Sequence, residues 1–210
     1  LLFKNNINPW GNQKILLIIR GIFGTVALYC IFKALTVLPI AMATVIQYIY
    51  PTFTVICAYF ILKEYIYKRI IFSIILGWLG IVLVTQPGWG TKDNILEFVI
   101  AIAIAILGAL MNSLAYICVR KLSYKEHPLV IIFYFPLVSI PLSLPFIIND
   151  FVLPTGTDWI LILGIGFFTQ IGQLCITEGL RLIPAGQATS LNYSQVIFTC
   201  TWGVLIFKES

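Results

Sequence analysis

Several stretches of this chain run about 20 residues without a charged side chain. That is the length a helix rising about 1.5 Å per residue needs to cross a hydrocarbon core of about 30 Å. A soluble core built from such segments would need a charged shell. Only 10% of the 210 residues are charged, and 60% are hydrophobic, whereas an ordinary soluble domain is about 25% charged. A transmembrane β-barrel would alternate polarity in segments of about ten residues, and this chain does not. The fold class expected is an all-α membrane protein, a polytopic helical bundle.

Seven spans are expected, at about 14–36, 40–62, 67–86, 95–119, 129–148, 159–181 and 185–207. Short loops join them, among them QPGWGTKDN (86–94), RKLSYKEHP (120–128) and NDFVLPTGTD (149–158). Lys4, Lys14, Lys63, Lys68, Arg69, Arg120, Lys121, Lys125 and Arg181 fall on one side, against Lys92 and Lys208 on the other. This positive-inside bias places the first group, with the loops at 63–69 and 120–128, in the cytoplasm. The expected location is the plasma membrane, or the inner membrane of a bacterium. Trp10, Trp89 and Trp159 flank spans as an aromatic belt would. The five cysteines are scattered singly and His127 stands alone, so neither a metal site nor a cofactor is expected. The net charge of +5 sits in short loops and does not suggest nucleic acid.

The chain also repeats itself. Shifting it by 145 pairs residues 15–64 with 160–209, and sixteen of the fifty pairs are identical without a gap. The matches include Pro39 with Pro184, Ala43-Thr44 with Ala188-Thr189, Tyr48 with Tyr193 and Lys63-Glu64 with Lys208-Glu209. An odd number of crossings separates the two copies, so they run in opposite directions. Inverted repeats of this kind build many secondary transporters, with the substrate site near mid-membrane at the repeat interface. Residues 1–90 are read as the first repeat and 91–210 as the second. The chain opens at Leu1 and stops at Ser210, directly after a span. Extending the repeat past both ends implies a fragment: seven spans of an inferred ten, in two five-helix units.

The segments RGIFGTVALYCIFKALTVLPIAMATVIQYIYPTFTVICAYFILKEYI and GWLGIVLV, with EGLRLIPAGQATSLNYSQVIFTCTWGVLIFKE in the second copy, resemble the EamA family of the drug/metabolite transporter superfamily. The Ala-Leu before a Leu-Pro turn, the small-residue helix start, the internal Pro and the terminal Lys/Gly-Glu carry the likeness. The resemblance implies ten helices in two inverted repeats and movement of a small metabolite by exchange or an ion gradient. It also implies that the spans at 14–36, 40–62, 159–181 and 185–207 enclose the substrate route. Two positions depart from the pattern. Val196 stands where the first copy has Pro51, and Lys33 stands where an apolar or aromatic residue is usual.

Polar groups inside lipid are costly and usually face a cavity or another helix. Here they fall in stripes at helical spacing. Thr44, Gln47, Tyr48 and Pro51 share one face, and Thr189, Asn192, Tyr193 and Val196 the related one. Gln170, Gln173, Thr177 and Glu178 share another, answered by Thr25, Tyr29 and Lys33, while Asn112 and Tyr116 stack one turn apart. Tyr50 against Gln195 and Gln47 against Asn192 are mid-helix positions where the two copies differ. Thr25, Tyr29, Thr44, Gln47, Tyr48, Tyr50, Asn112, Gln170, Gln173, Asn192, Tyr193 and Gln195 are the candidate lining of a substrate route. The same amides and hydroxyls also serve as interhelical glue. Glu178 and Lys33 occupy the same repeat position and are candidates for a coupling or charge site, although Glu178 also has Arg181 one turn away. Gly77-x-x-Gly80 permits a helix contact within one chain or between two copies. An enzyme would need converging His, acid or Cys groups, which are absent here. The readings that remain are a small-molecule carrier in a lipid bilayer and a non-transporting scaffold or partner subunit.

Overall fold

The computed structural model of the chain describes residues 8–85, 95–147, 153–195 and 198. Lys4, the 86–94 loop with Trp89 and Lys92, Asn149 and Asp150, and the end of the last expected span with Val196, Lys208 and Glu209 lie outside the described residues. Every regular element among the described residues is helical. The elements are α1 (Lys14–Leu35), α2 (Ile40–Gln47), α3 (Tyr50–Cys57), a π turn (Ala58–Leu62), α4 (Lys68–Thr85), α5 (Ile95–Leu122), α6 (Pro128–Ile147), α7 (Thr157–Leu182), α8 (Ala185–Ser190) and a 3₁₀ turn (Leu191–Tyr193). Among the described residues α1, the segment Met42–Leu62, α5, Pro128–Pro145 of α6 and α7 are long and apolar enough to cross a membrane. Many outward side chains are bare apolar groups, including Ile15, Phe72, Leu163 and Phe168. Lipid, not water, suits such a surface.

The bundle is organised around α5, whose buried face is small: Ala101, Ala105, Gly108, Ala109 and Ala115. Small residues let backbones approach. A Cβ on Gly108 would stand 3.0 Å from Cys30 Cβ of α1, and one on Gly21 of α1 would stand 2.7 Å from Val138 of α6. Gly77 is used within the chain, because a Cβ there would meet the Tyr193 ring at 2.5 Å. Along α5 the interior divides into three layers. Ala101 and Ala105 pack with Ala34, Leu38 and Met42 at one end. Ala109 packs with Tyr48 and Tyr50 in the middle. Ile117 and Leu122 pack with Leu17, Ile131 and Leu180 at the other end. That last end carries Lys14, Lys63, Lys68, Arg69, Arg120, Lys121, Lys125 and Arg181 and is called the basic end below. There Glu126 caps α1, its Oε1 accepting the backbone N–H groups of Asn12 and Gln13, both at 2.6 Å.

Two expected spans take a different form. The segment 40–62 is broken at Tyr48–Ile49, between α2 and α3. Pro51 has no N–H to give the Gln47 carbonyl, and the chain tightens there through Ile49 N–H to Ile46 O (3.1 Å) and Thr52 N–H to Ile49 O (3.0 Å). The second copy also loses its regular helix just before its matching tyrosine, at Leu191–Tyr193, without a proline. In contrast, Pro136, Pro141 and Pro145 do not interrupt α6, which is one continuous helix.

The end of the α3 segment is shaped by its last residues. After the π turn, Lys63 takes the left-handed conformation (φ 55°), and Glu64 N–H returns to Ala58 O at 3.2 Å. Glycine takes this conformation freely, so the lysine here carries a conformational cost that glycine would not. Lys63→Gly is expected to stabilise the protein by about 0.5–1 kcal/mol, the left-handed penalty of roughly 1–2 kcal/mol less the added chain entropy of glycine. Thermal unfolding of the purified full-length variant in detergent checks this, and a lower Tm would contradict it.

Candidate functional site

The broken helix α2–α3 and its repeat partner α8 meet at their matching tyrosines. Tyr48 and Tyr193 stack with ring centroids 6.2 Å apart, and the Tyr193 hydroxyl donates to the Tyr48 carbonyl at 3.2 Å. Beside them the two copies are not equivalent. Asn192 Nδ2 donates to Tyr50 Oη at 2.6 Å. The shift of 145 turns Asn192 and Tyr50 into Gln47 and Gln195. Those two residues line a cavity of about 280 Å³ instead, and the buried Gln47 Oε1 has no hydrogen-bond partner.

The cavity lies among α1, α2, α3 and α5. Its polar lining is Thr44, Gln47, Tyr48, Tyr50, Asn112, Tyr116 and Gln195. Asn112 stands ten residues from the end of α5 at Leu122, about 15 Å from the basic end at about 1.5 Å per residue. Tyr50 and Tyr116, with centroids 5.5 Å apart, bound the cavity toward that end. Ile31 and Leu35 carry it toward the opposite end of α1. Two larger hollows, one lined by Asn12–Leu16, Ile19 and Lys121 and one by Trp10, Tyr134 and Pro141, are open grooves on the helix exteriors.

A charged cluster closes the basic end. Arg120 Nε donates to Glu64 Oε1 at 2.8 Å, and Arg120 Nη1 donates to the carbonyls of Leu180 (2.6 Å) and Arg181 (3.0 Å) at the end of α7. Glu64 Oε2 accepts the backbone N–H of Ala185, the first residue of α8, at 2.9 Å. One ion pair therefore holds four chain segments.

Of the expected lining residues, six line the cavity directly: Thr44, Gln47, Tyr48, Tyr50, Asn112 and Gln195. Asn192 and Tyr193 join it through their contacts with Tyr50 and Tyr48. The others lie elsewhere. Thr25 donates to the Gly21 carbonyl of its own helix at 2.8 Å. Tyr29 and Gln170 are exposed, and Gln173 meets Arg20. Glu178 and Arg181, both about half exposed, pair at 3.6 Å, a contact worth at most about 1 kcal/mol. Lys33 is exposed in the last turn of α1, at the end of the bundle opposite Glu178. Among the described residues no three His, Cys, Asp or Glu side chains gather as metal ligands would.

Arg20 is the polar residue that periodicity passed over. It is 4% exposed inside α1, with its guanidinium over the Phe135 ring at 4.6 Å. The signal was available, because an arginine within an otherwise apolar run is rare in a membrane span.

A family model described as the EamA-like transporter family matches residues 1–86 and 99–210. The chain is 27% identical over 195 residues to a pseudopaline exporter of Pseudomonas aeruginosa, covering 92% of this chain and 67% of that protein. It is 28% identical over 227 residues to a probable transport protein of Saccharomyces cerevisiae, covering 96% of this chain and 64% of that one. It is 26% identical over 213 residues to solute carrier family 35 member G1 of Homo sapiens, covering 97% and 58%. The chain thus spans about two thirds of the first of these relatives and less of the others. A solved crystal structure superposes with a TM-score of 0.81 at 17% identity, covering 100% of this chain and 73% of its own, a likeness of fold.

The cluster at the basic end makes a stability prediction. Removing one member of a buried ion pair costs about 3–5 kcal/mol, and the Glu64 side chain is 17% exposed, so Glu64→Ala is expected to cost about 2–4 kcal/mol. Glu64→Gln keeps one acceptor oxygen, enough for Arg120 or for Ala185 but not for both, and is expected to cost less than Glu64→Ala. Equal Tm losses for the two variants would show that the hydrogen bonds contribute little.

Proposed function

The chain belongs to the EamA-like transporter family, and from that premise we propose that the intact protein carries a small polar or amphipathic metabolite across a membrane by alternating access, as an exchanger or an ion-coupled carrier. One observation supports this reading above the others. Two residue pairs related by the sequence repeat are placed differently, with Asn192 bonded to Tyr50 while Gln47 and Gln195 line a cavity. Inverted repeats provide this asymmetry, and exchanging the two arrangements would move the opening from one end of the bundle to the other. The Glu64–Arg120 cluster then acts as the closed gate on the basic side, which the charge bias assigns to the cytoplasm. A cavity of about 280 Å³ lies at the lower edge of ligand pockets, which run about 300–1,000 Å³, and suits a metabolite-sized solute.

Reconstituting the full-length protein in liposomes and screening labelled amino acids, nucleosides and methyl donors tests the proposal. In such an assay Gln47→Ala and Asn112→Ala are expected to lower uptake efficiency roughly tenfold each, the equivalent of one lost polar contact of about 1.4 kcal/mol, with Tm unchanged. Failure of every exchange and gradient assay would favour the scaffold or partner-subunit reading.

Glu178 is the group proposed for ion coupling, because it lies on the polar face of α7 near the basic end. Glu178→Gln is expected to insert normally and to remove the pH dependence of uptake. Uptake that keeps its pH profile in this variant excludes that role.

A further inference from the structure

Arg20 sits six residues into α1, about 9 Å from the basic end at about 1.5 Å per residue. An arginine at that depth normally bends its long side chain back to the nearer interface. This one points the other way. Its Nη2 donates to Gln173 Oε1 at 2.9 Å. Gln173 is nine residues from the end of α7 at Leu182, about 13 Å deep by the same rise. The lysines at the two ends of the same helix, Lys14 and Lys33, are exposed.

The guanidinium is incompletely satisfied. Nε and Nη1 are buried with no hydrogen-bond partner, and the ion pairs among the described residues, Glu64–Arg120 and Glu178–Arg181, do not involve it. Phe135 covers one face but accepts none of the in-plane N–H groups. If Arg20 served only as glue between α1 and α7, its donors should be paired, because an unpaired buried donor is destabilising. A cation held at this depth without a carboxylate needs its negative charge from elsewhere. Arg20 is not among the residues that line the cavity; it stands six residues from the start of α1, and Tyr116, which bounds the cavity, stands six residues from the end of α5, so the two lie at similar depth from the basic end.

We propose that Arg20 is the anion-binding residue of the route, taking an oxyanion group of the substrate, carboxylate or phosphate, between α1 and α7 where it now meets Gln173. In the present arrangement the Gln173 amide oxygen occupies the place of that group. Release of Gln173 frees the Nε/Nη2 edge, the planar fork that grips an oxyanion with two parallel hydrogen bonds. Nη1 supplies a further donor. The substrate class is therefore a small metabolite bearing a carboxylate or phosphate. This assignment rests on the transporter reading for the place of Arg20 in a route, but anion binding is measured without transport.

The test uses purified full-length protein in detergent and follows Tm against sodium succinate, sodium phosphate and neutral succinamide at constant ionic strength. Wild type should show a saturable rise in Tm with succinate or phosphate, the larger response identifying the group, and none with succinamide. Arg20→Met should abolish the rise, and Arg20→Lys should weaken apparent binding roughly tenfold, because lysine lacks the fork. Gln173→Ala should tighten binding severalfold, since it removes the competing oxygen. A purely structural tie between α1 and α7 does not predict that gain, and the arm stands even if Arg20→Met fails to fold. No anion-dependent rise in wild type, a rise that survives in Arg20→Met, or unchanged or weaker binding in Gln173→Ala would overturn the proposal. Transport of neutral solutes without any anion effect would leave the carrier reading standing and remove this one. An anion site of the expected behaviour in a protein that moves nothing would do the reverse.

Discussion

Glu64 uses its two carboxylate oxygens on different parts of the molecule. One accepts from Arg120, near the end of α5, and the other accepts from the first backbone N–H of α8. Both partners of that ion pair therefore work at helix ends. Arg120 answers the carbonyls that α7 leaves unpaired at its C-terminus, and Glu64 answers an N–H that α8 leaves unpaired at its start. Each charge also has the sign the helix dipole favours at that end. The π turn and the left-handed Lys63 bring Glu64 to this place by ending the α3 segment abruptly. The cavity on the far side of Tyr50 and Tyr116 depends on this closure, because the same contacts fix where α8 begins and so where Asn192 and Tyr193 meet α2 and α3.

The sequence made the scaffold legible because lipid imposes a simple rule. The helical class and the polar stripe of Thr44, Gln47 and Tyr48 follow from apolar runs and helical spacing, and the repeat relation of Tyr48 to Tyr193 from the 145-residue shift. Legibility failed where a contact depended on a helix end. Ending the 95–119 span three residues early turned Arg120 into a loop charge, whereas α5 continues to Leu122 and carries Arg120 into the bundle. Thr25 falls on a polar face by spacing, yet its hydroxyl bonds one turn back to Gly21, a local choice that periodicity does not reveal. Proline alone does not decide where these helices break. Three prolines left α6 continuous, while the second repeat copy became irregular with none. The break recurs beside the same tyrosine in both copies, so interface packing at the Tyr48–Tyr193 contact is the better predictor of where these helices yield.

The mid-helix positions at which the copies differ acquire a geometric meaning from that contact. In perfectly symmetric copies the two flanking pairs would be chemically alike. Here one pair is Asn192 with Tyr50 and the other is Gln47 with Gln195. The short amide reaching a phenol makes a compact bond of 2.6 Å, and the two longer amides border open space. The asymmetry of these side chains sets a hydrogen bond on one side of the tyrosine contact and a cavity on the other.

The buried groups left without partners point the same way. Arg20 Nε and Nη1, Gln47 Oε1, Ser113 Oγ and Thr177 Oγ1 are all buried and unpaired, and they come from α1, α2, α5 and α7. Each such group costs about 1–3 kcal/mol where nothing satisfies it. Helix glue in a membrane works by pairing polar groups with each other, so an interior assembled only for stability would leave few of them. Four residues with unmet polar capacity on four neighbouring helices are a loss for a scaffold. On the carrier reading proposed above, such groups would instead be donors and acceptors open to water and solute.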